Sequence, residues 1–468
     1  MTLQEQYHQD IDYLVRTLEN MHPDLYRNIS KEKFDNEVAK IKEQKLNDTN
    51  FELEVMKLLS KINDPHTNID IKVSPKPYKF KFLDGKLYII DDFINQNSPY
   101  LYNEITAING HNINDWVNEI SKYVSYDNKS GFNKEVTELL SNSSFLQKIS
   151  NSNNLIFDCK DGEQIKSFDL AEDCKKEIIK NEEKLKTTSL DNDTLYIKYG
   201  TCINNEENNI PEFITKTMME LDDKNPSKVI MDLRENTGGN SAYIKPLIER
   251  LKEIPTKTTI VDNKTFSSAV LAMQDMRNIG SIIVGEEPSL TQNHFGDCKN
   301  IILPNTNVSV WCSTAEFIMN NGKLVKITNE EKLGDKVKVT AYGSQQAILP
   351  KESITKREDF NLDARINPSI NEYKKLKDPE LIKTKLLTDS VSVIKQVNNE
   401  QSQSVSISNN NKVLKKTTPK NNNNANDNSS SESNLSKNGF INITSIVAIV
   451  SFILGLGVGI AYILLKIH

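Results

Sequence analysis

Val229-Ile-Met-Asp-Leu-Arg-Glu-Asn-Thr-Gly-Gly-Asn-Ser-Ala-Tyr-Ile244 reads as a buried strand running into a glycine turn and then a helix. Gly238 and Gly239 leave the backbone unhindered there, so N–H groups can be exposed near a helix N-terminus, where a developing negative charge is held. The same turn could serve strand-to-helix geometry alone, and no Gly-Lys-Ser/Thr follows, so it is not a P-loop. The layout recurs on either side. Leu195-Tyr-Ile-Lys-Tyr199, Thr258-Thr-Ile-Val261 and Ser281-Ile-Ile-Val284 read as strands, with helices from Tyr243 to Lys252 and from Ser268 to Asn278 between them. Strands alternating with helices imply an α/β layer on a mainly parallel sheet.

Outward from this core, residues 1–72 read as a helical domain, with apolar periodicity at Tyr13–Leu18, Phe34–Ile41 and Leu53–Ile62. Residues 73–190 read as β-rich, from strands such as Tyr78-Lys-Phe-Lys-Phe82 and Leu87-Tyr-Ile-Ile90 joined by the Asp84-Gly85 turn. The α/β core is placed at 191–390. Residues 391–438, rich in Asn, Ser and Lys, are too poor in apolar side chains to offset the entropy of ordering them and are expected to form a disordered linker. Within 439–466, the apolar run Ile443–Leu465 would be about 34 Å long as a helix. It is expected to be a transmembrane anchor. Lys412, Lys415, Lys416, Lys420 and Lys437 precede it against Lys466 beyond, and no basic and apolar leader follows Met1. The expectation is therefore a single-pass protein whose globular part is cytoplasmic, unless a signal peptide lies upstream of Met1.

The net charge of −6 is small for 468 residues, with both signs mixed along the folded part, so no nucleic-acid partner is expected. Five cysteines lie apart, with no CxxC pair or Cys/His cluster, which argues against a structural zinc or a disulfide framework.

Three other positions carry chemistry. Ser267 and Ser268 stand where the helix after Thr258–Val261 begins; a serine oxygen there lies at the positive end of the helix dipole, and the following N–H can help hold an oxyanion. Such a serine is also an ordinary helix cap. His66, in Lys61-Ile-Asn-Asp-Pro-His-Thr-Asn-Ile69, follows a turn and precedes an apolar segment, a rigid seat for an imidazole that is either structural or catalytic.

Taken in order, Asp64-Pro-His-Thr67, Asp232-Leu-Arg-Glu-Asn-Thr-Gly-Gly239, Thr265-Phe-Ser-Ser-Ala269 and Gly285-Glu286 resemble the tail-specific, or carboxyl-terminal processing, serine peptidases. The likeness extends from His22-Pro-Asp-Leu-Tyr26 to Ile370-Asn-Glu-Tyr-Lys-Lys-Leu-Lys-Asp-Pro379. It implies a crotonase-like α/β core, Ser268 as nucleophile, and an oxyanion hole from the N–H groups of Gly238 or Gly239 and of Ala269. Ser267 is the neighbour most easily confused with the nucleophile. Members with a Ser-Lys dyad carry lysine after Phe-Gly; His294-Phe-Gly-Asp297 has none, and Lys299 is the residual candidate. The resemblance then implies His66 as general base with Glu358 as its orienter, while Arg365 stands where the family often has Asp and Lys323–Gln346 looks like an insertion. Leu101–Ile113 resembles part of a PDZ module, implying a degenerate PDZ-like insert. The function implied is an endopeptidase acting on extended polypeptide without a cofactor or metal; the alternative is a peptidase-fold protein that binds peptides at a membrane without turnover.

Overall fold

The computed structural model describes residues 1–71, 74–179, 183–320, 323–328, 332–333, 336–341, 346–350 and 361–395. The chain divides into two compact units, Met1–Leu381 and Ile382–His468. In the second, residues 382–395 are helical.

At the centre of the first unit lies a six-stranded sheet in the order Ala364–Arg365, Ile282–Gly285, Thr256–Val261, Lys228–Asp232, Thr194–Tyr199, Leu185–Ser189. All neighbours are parallel except the last pair, which is antiparallel. Parallel neighbours need crossovers, and the helices Ile210–Lys224, Lys245–Leu251 and Ser268–Asn278 lie in the three that link Thr194–Tyr199 successively to Ile282–Gly285. Val229, Met231 and Leu233 are fully buried in one cluster with Leu247, Val270, Met273 and Met276. Fully burying each of these side chains contributes about 1.5–3 kcal/mol. The sequence expectation of a mixed α/β fold therefore holds, and the predicted helix from Ser268 to Asn278 is found with those bounds.

The N-terminal helices Leu3–Met21, Lys31–Glu43 and Asp48–Ile62 begin at Thr2, Ser30 and Asn47, each of which accepts a backbone N–H at the helix start. Their apolar faces share one core with a second sheet, in the order Tyr78–Leu83, Lys86–Asp92, Glu104–Ile108, Ile156–Asp161, Gln164–Asp169. The interval expected to be β-rich also holds helices Ile113–Ile120, Lys129–Leu140 and Ser143–Ser150, capped by Asn112, Asn128 and Asn142. The stretch 323–346, read as an insertion, contributes strands Lys323–Thr328, Lys332–Leu333 and Lys336–Ala341 to a sheet that starts at His294–Gly296 and Ala315–Asn320.

The membrane location needs correction. Among the described residues no helix is long and apolar enough to cross a membrane, which overturns the single-pass placement; Ile443–Leu465, on which it rested, lies outside the described residues.

Candidate active site

Two turns meet at the ends of neighbouring parallel strands. The first follows Lys228–Asp232. Asp232 is fully buried, accepts the Tyr196 hydroxyl at 2.6 Å and holds the Arg234 guanidinium at 2.6 Å. Asn236, also fully buried, then pins the turn from both sides: its Nδ2 donates to Tyr199 O at 2.7 Å and its Oδ1 accepts the Gly238 N–H at 2.9 Å. Cys202 N donates to Gly238 O and Asn240 N to Cys202 O, so neither bond uses the Gly239 N–H. Gly238 has φ +99°; a Cβ there would stand 2.7 Å from Ser267 Cβ and 3.1 Å from Ser268 N. Only glycine fits both the backbone and the space.

The second turn follows Thr256–Val261 and leads into the helix Ser268–Asn278. It is tied to the first by Phe266 N donating to Asn236 O at 3.0 Å and Thr265 Oγ1 donating to Leu233 O at 3.0 Å. Ser267 has φ 53°, ψ −123°, a conformation disfavoured for any residue with a side chain. A strained residue between strand and helix is the backbone feature of a nucleophile elbow. Ser268 is different: it is 7% exposed, and its hydroxyl donates to Gly239 O at 2.6 Å. Of the expected oxyanion donors, the Ala269 N–H donates to Phe266 O at 3.0 Å and that of Gly238 to Asn236 Oδ1.

His66 arrives from the other core. Asp64 organises its loop, accepting the His66 N–H at 3.0 Å, the Thr67 and Ser313 hydroxyls at 2.6 Å each, and His22 Nε2–H at 3.2 Å. Burial pushes the Asp64 carboxyl up, but the hydrogen bond and charge of His22 outweigh it and hold the group below the usual carboxylate range. Strand Asn68–Ile69 then pairs with Ser309–Cys312, fixing the chain beyond the imidazole. The His66 ring lies against Phe266, centroids 4.4 Å apart, and against His294 at 5.9 Å. The fold thus brings His66 to the residue immediately before Ser267. Both ring nitrogens are buried with no hydrogen-bond partner among the described residues, and no bond joins them to Ser268. Burial pushes the imidazole down to about 3, with the Asp64 charge opposing and the His294 and Lys134 charges assisting. His66 is therefore neutral near pH 7.

Glu358 lies outside the described residues. Lys299 is exposed on strand Lys299–Ile302, Asp297 pairs with Lys326, and Arg365 lies 3.3 Å from Glu287. Two residues not singled out from the sequence also belong to the site. Lys134, its ammonium 4.8 Å from the Phe266 ring centroid and 2.6 Å from Glu135, stands on the helix Lys129–Leu140; His294 donates Nδ1–H to Thr291 O at 2.9 Å. Nothing local marks Lys134, whereas His294 opens the His294-Phe-Gly-Asp297 stretch that lacks the dyad lysine. Among the described residues no group of three His, Cys, Asp or Glu is placed to hold a metal ion.

No protein-family model and no curated protein sequence matches the chain. Solved structures do. Mature CPAF aligns over 85% of this chain and 98% of its own, at 11% identity and a TM-score of 0.56. Mature CPAF complexed with lactacystin aligns over 81% and 98%, at 11% identity and 0.53. A photosystem II D1 C-terminal processing protease aligns over 79% and 94%, at 10% identity, with a TM-score of only 0.41. At these identities the chain shares the fold of CPAF.

Proposed function

We propose that this chain is a serine endopeptidase of the tail-specific type, with a crotonase-like core, that hydrolyses extended polypeptide through an acyl-enzyme. The observation that carries the reading is the strained Ser267 at a helix start, facing Gly238 and following the phenyl ring on which a buried His66 rests, its ring nitrogens without a hydrogen-bond partner among the described residues. The CPAF-like fold agrees with the family resemblance of the motifs.

In this reading the Ser267 Oγ attacks the scissile carbonyl carbon while His66 takes its proton. The resemblance put the nucleophile at Ser268; the backbone strain at Ser267 and the bond from Ser268 to Gly239 O favour Ser267. The oxyanion is held by the Gly239 N–H and the Ser268 N–H, the amide following the nucleophile. Collapse expels the amine, which receives the proton from His66; water then attacks the acyl-enzyme with His66 again as base, releasing the carboxylate and free serine. Imidazolium is costly in a buried site, and the ionised Asp64 is the charge that favours it transiently. Glu358 remains the proposed orienter.

The test is fluorophosphonate labelling and cleavage of an unstructured peptide by the full chain. Labelling that survives Ser268→Ala and is lost in Ser267→Ala supports the assignment. The reverse result returns the role to Ser268. A parent chain that neither labels nor cleaves leaves a peptide-binding protein on a peptidase fold.

A further inference from the structure

We infer that the cleft beside the serine turn selects polypeptide carrying acidic side chains next to the bond to be cut. The cut rests on the peptidase reading; the binding preference does not. A cavity of about 620 Å³ opens at the site, with Pro65 and Thr67 on either side of His66, and Thr237 just before Gly238, in its wall. Five lysines line it: Lys76, Lys79, Lys134, Lys184 and Lys264. The acidic residues in the same wall are Glu135, Glu138 and Glu235; with Lys184 set aside because it has a partner of its own, four ammonium groups still stand against three carboxylates, in a chain whose net charge is −6.

The pairing inside the wall shows the same imbalance. Glu235 lies 2.8 Å from Lys79 and 2.9 Å from Lys264, and Glu138 pairs with Lys76 while standing 3.5 Å from Lys264. Each of these carboxylates is shared between two ammonium groups. Lys134 has Glu135 as partner and leans over Phe266, beside the imidazole. An incoming carboxylate meets cations that divide their counter-charge, in a walled space where the field is less screened than at an open surface. A peptide with lysine side chains meets repulsion there. Asn68, Asn205 and Asn208, also in the wall, offer donors and acceptors for an extended backbone of any sequence, so the charge supplies the discrimination.

The decisive measurement is fluorescence anisotropy on the full chain carrying Ser267→Ala, with labelled peptides alike except for Glu, Gln or Lys beside a central bond. The Glu peptide should bind about tenfold more tightly than the Gln peptide at low salt, an advantage that shrinks towards parity as salt approaches roughly 0.5 M. Lys76→Gln in the same background, at the partly exposed rim, should reduce the ratio of Glu-peptide to Gln-peptide affinity. Equal affinity for Glu and Gln peptides, or a preference untouched by both salt and Lys76→Gln, overturns the inference. In the parent chain, failure to cleave any of the three peptides would sink the peptidase reading alone, since the binding comparison stands apart from turnover.

Discussion

At the scale of single residues, the site concentrates strain and burial that a surface turn would not tolerate. A left-handed serine costs about 1–3 kcal/mol and persists only where its surroundings over-determine it. Here the surroundings include the missing side chain of Gly238. Gly238→Ala should lower kcat/KM by at least ~100-fold and also destabilise the fold by about 1–3 kcal/mol. Parent-like turnover in this variant would show that Ser267 does not work against that turn. His66 gives a second expectation, in pH. The unfolded imidazole takes a proton near its ordinary value of about 6.5, but in the fold burial pushes it down to about 3. Between those values the unfolded chain holds the proton and the folded chain does not. Stability from neutral His66 is thus complete above about pH 6.5 and is lost as the pH falls towards 3. Urea midpoints of the parent should therefore decline faster on acidification than those of His66→Gln; parallel curves would refute the buried neutral state. The choice between Ser267 and Ser268 was not legible in the sequence, because both are serines at a helix start and only the sign of φ separates them.

At the scale of elements, local pattern carried much of the reading. The helix from Ser268 to Asn278 was legible because its neighbours on both sides are strongly apolar strands. The helices of 113–150 were missed although Ile113, Trp116, Val117 and Ile120 fall at helical spacing after a capping Asn112; the short strands upstream had set the expectation for the whole interval. What a pattern of apolar residues does not encode is how two loops are stitched. Asp64 does this for the histidine loop with four hydrogen bonds, and Asp64→Ala should cost about 3–5 kcal/mol by urea unfolding, since it removes the buried acceptor of His22 Nε2–H and of two hydroxyls. A loss below about 1 kcal/mol would mean that the loop is held elsewhere. Asn236→Ala should remove about 2 kcal/mol and misplace the glycine turn, so kcat/KM should fall further than the stability loss alone accounts for.

At the scale of the whole molecule, the parallel sheet was legible because each strand–helix unit declares itself locally. The meeting of His66 with Phe266 was accessible only through the order of family-like motifs, since nothing in either segment specifies the other. The end of the sheet that carries the glycine turn is also clamped by a distant segment: Arg234, held by Asp232, reaches both Asp378 oxygens at 2.8 Å. Asp378→Ala should lower stability by about 1.5–3 kcal/mol, the range for hydrogen bonds to charged groups, with a matching fall in Tm. An unchanged Tm would make the motif around Lys375–Pro379 decorative. The distance along the chain between the histidine loop and the serine turn has one more consequence. A ribosome delivers the imidazole first and the strained serine about 200 residues later, roughly 10–40 s at ordinary elongation rates. If the proposed pair is the catalytic one, the nascent chain holds the base through that interval without its nucleophile, so it would gain the power to cleave only after more than half of it has been translated.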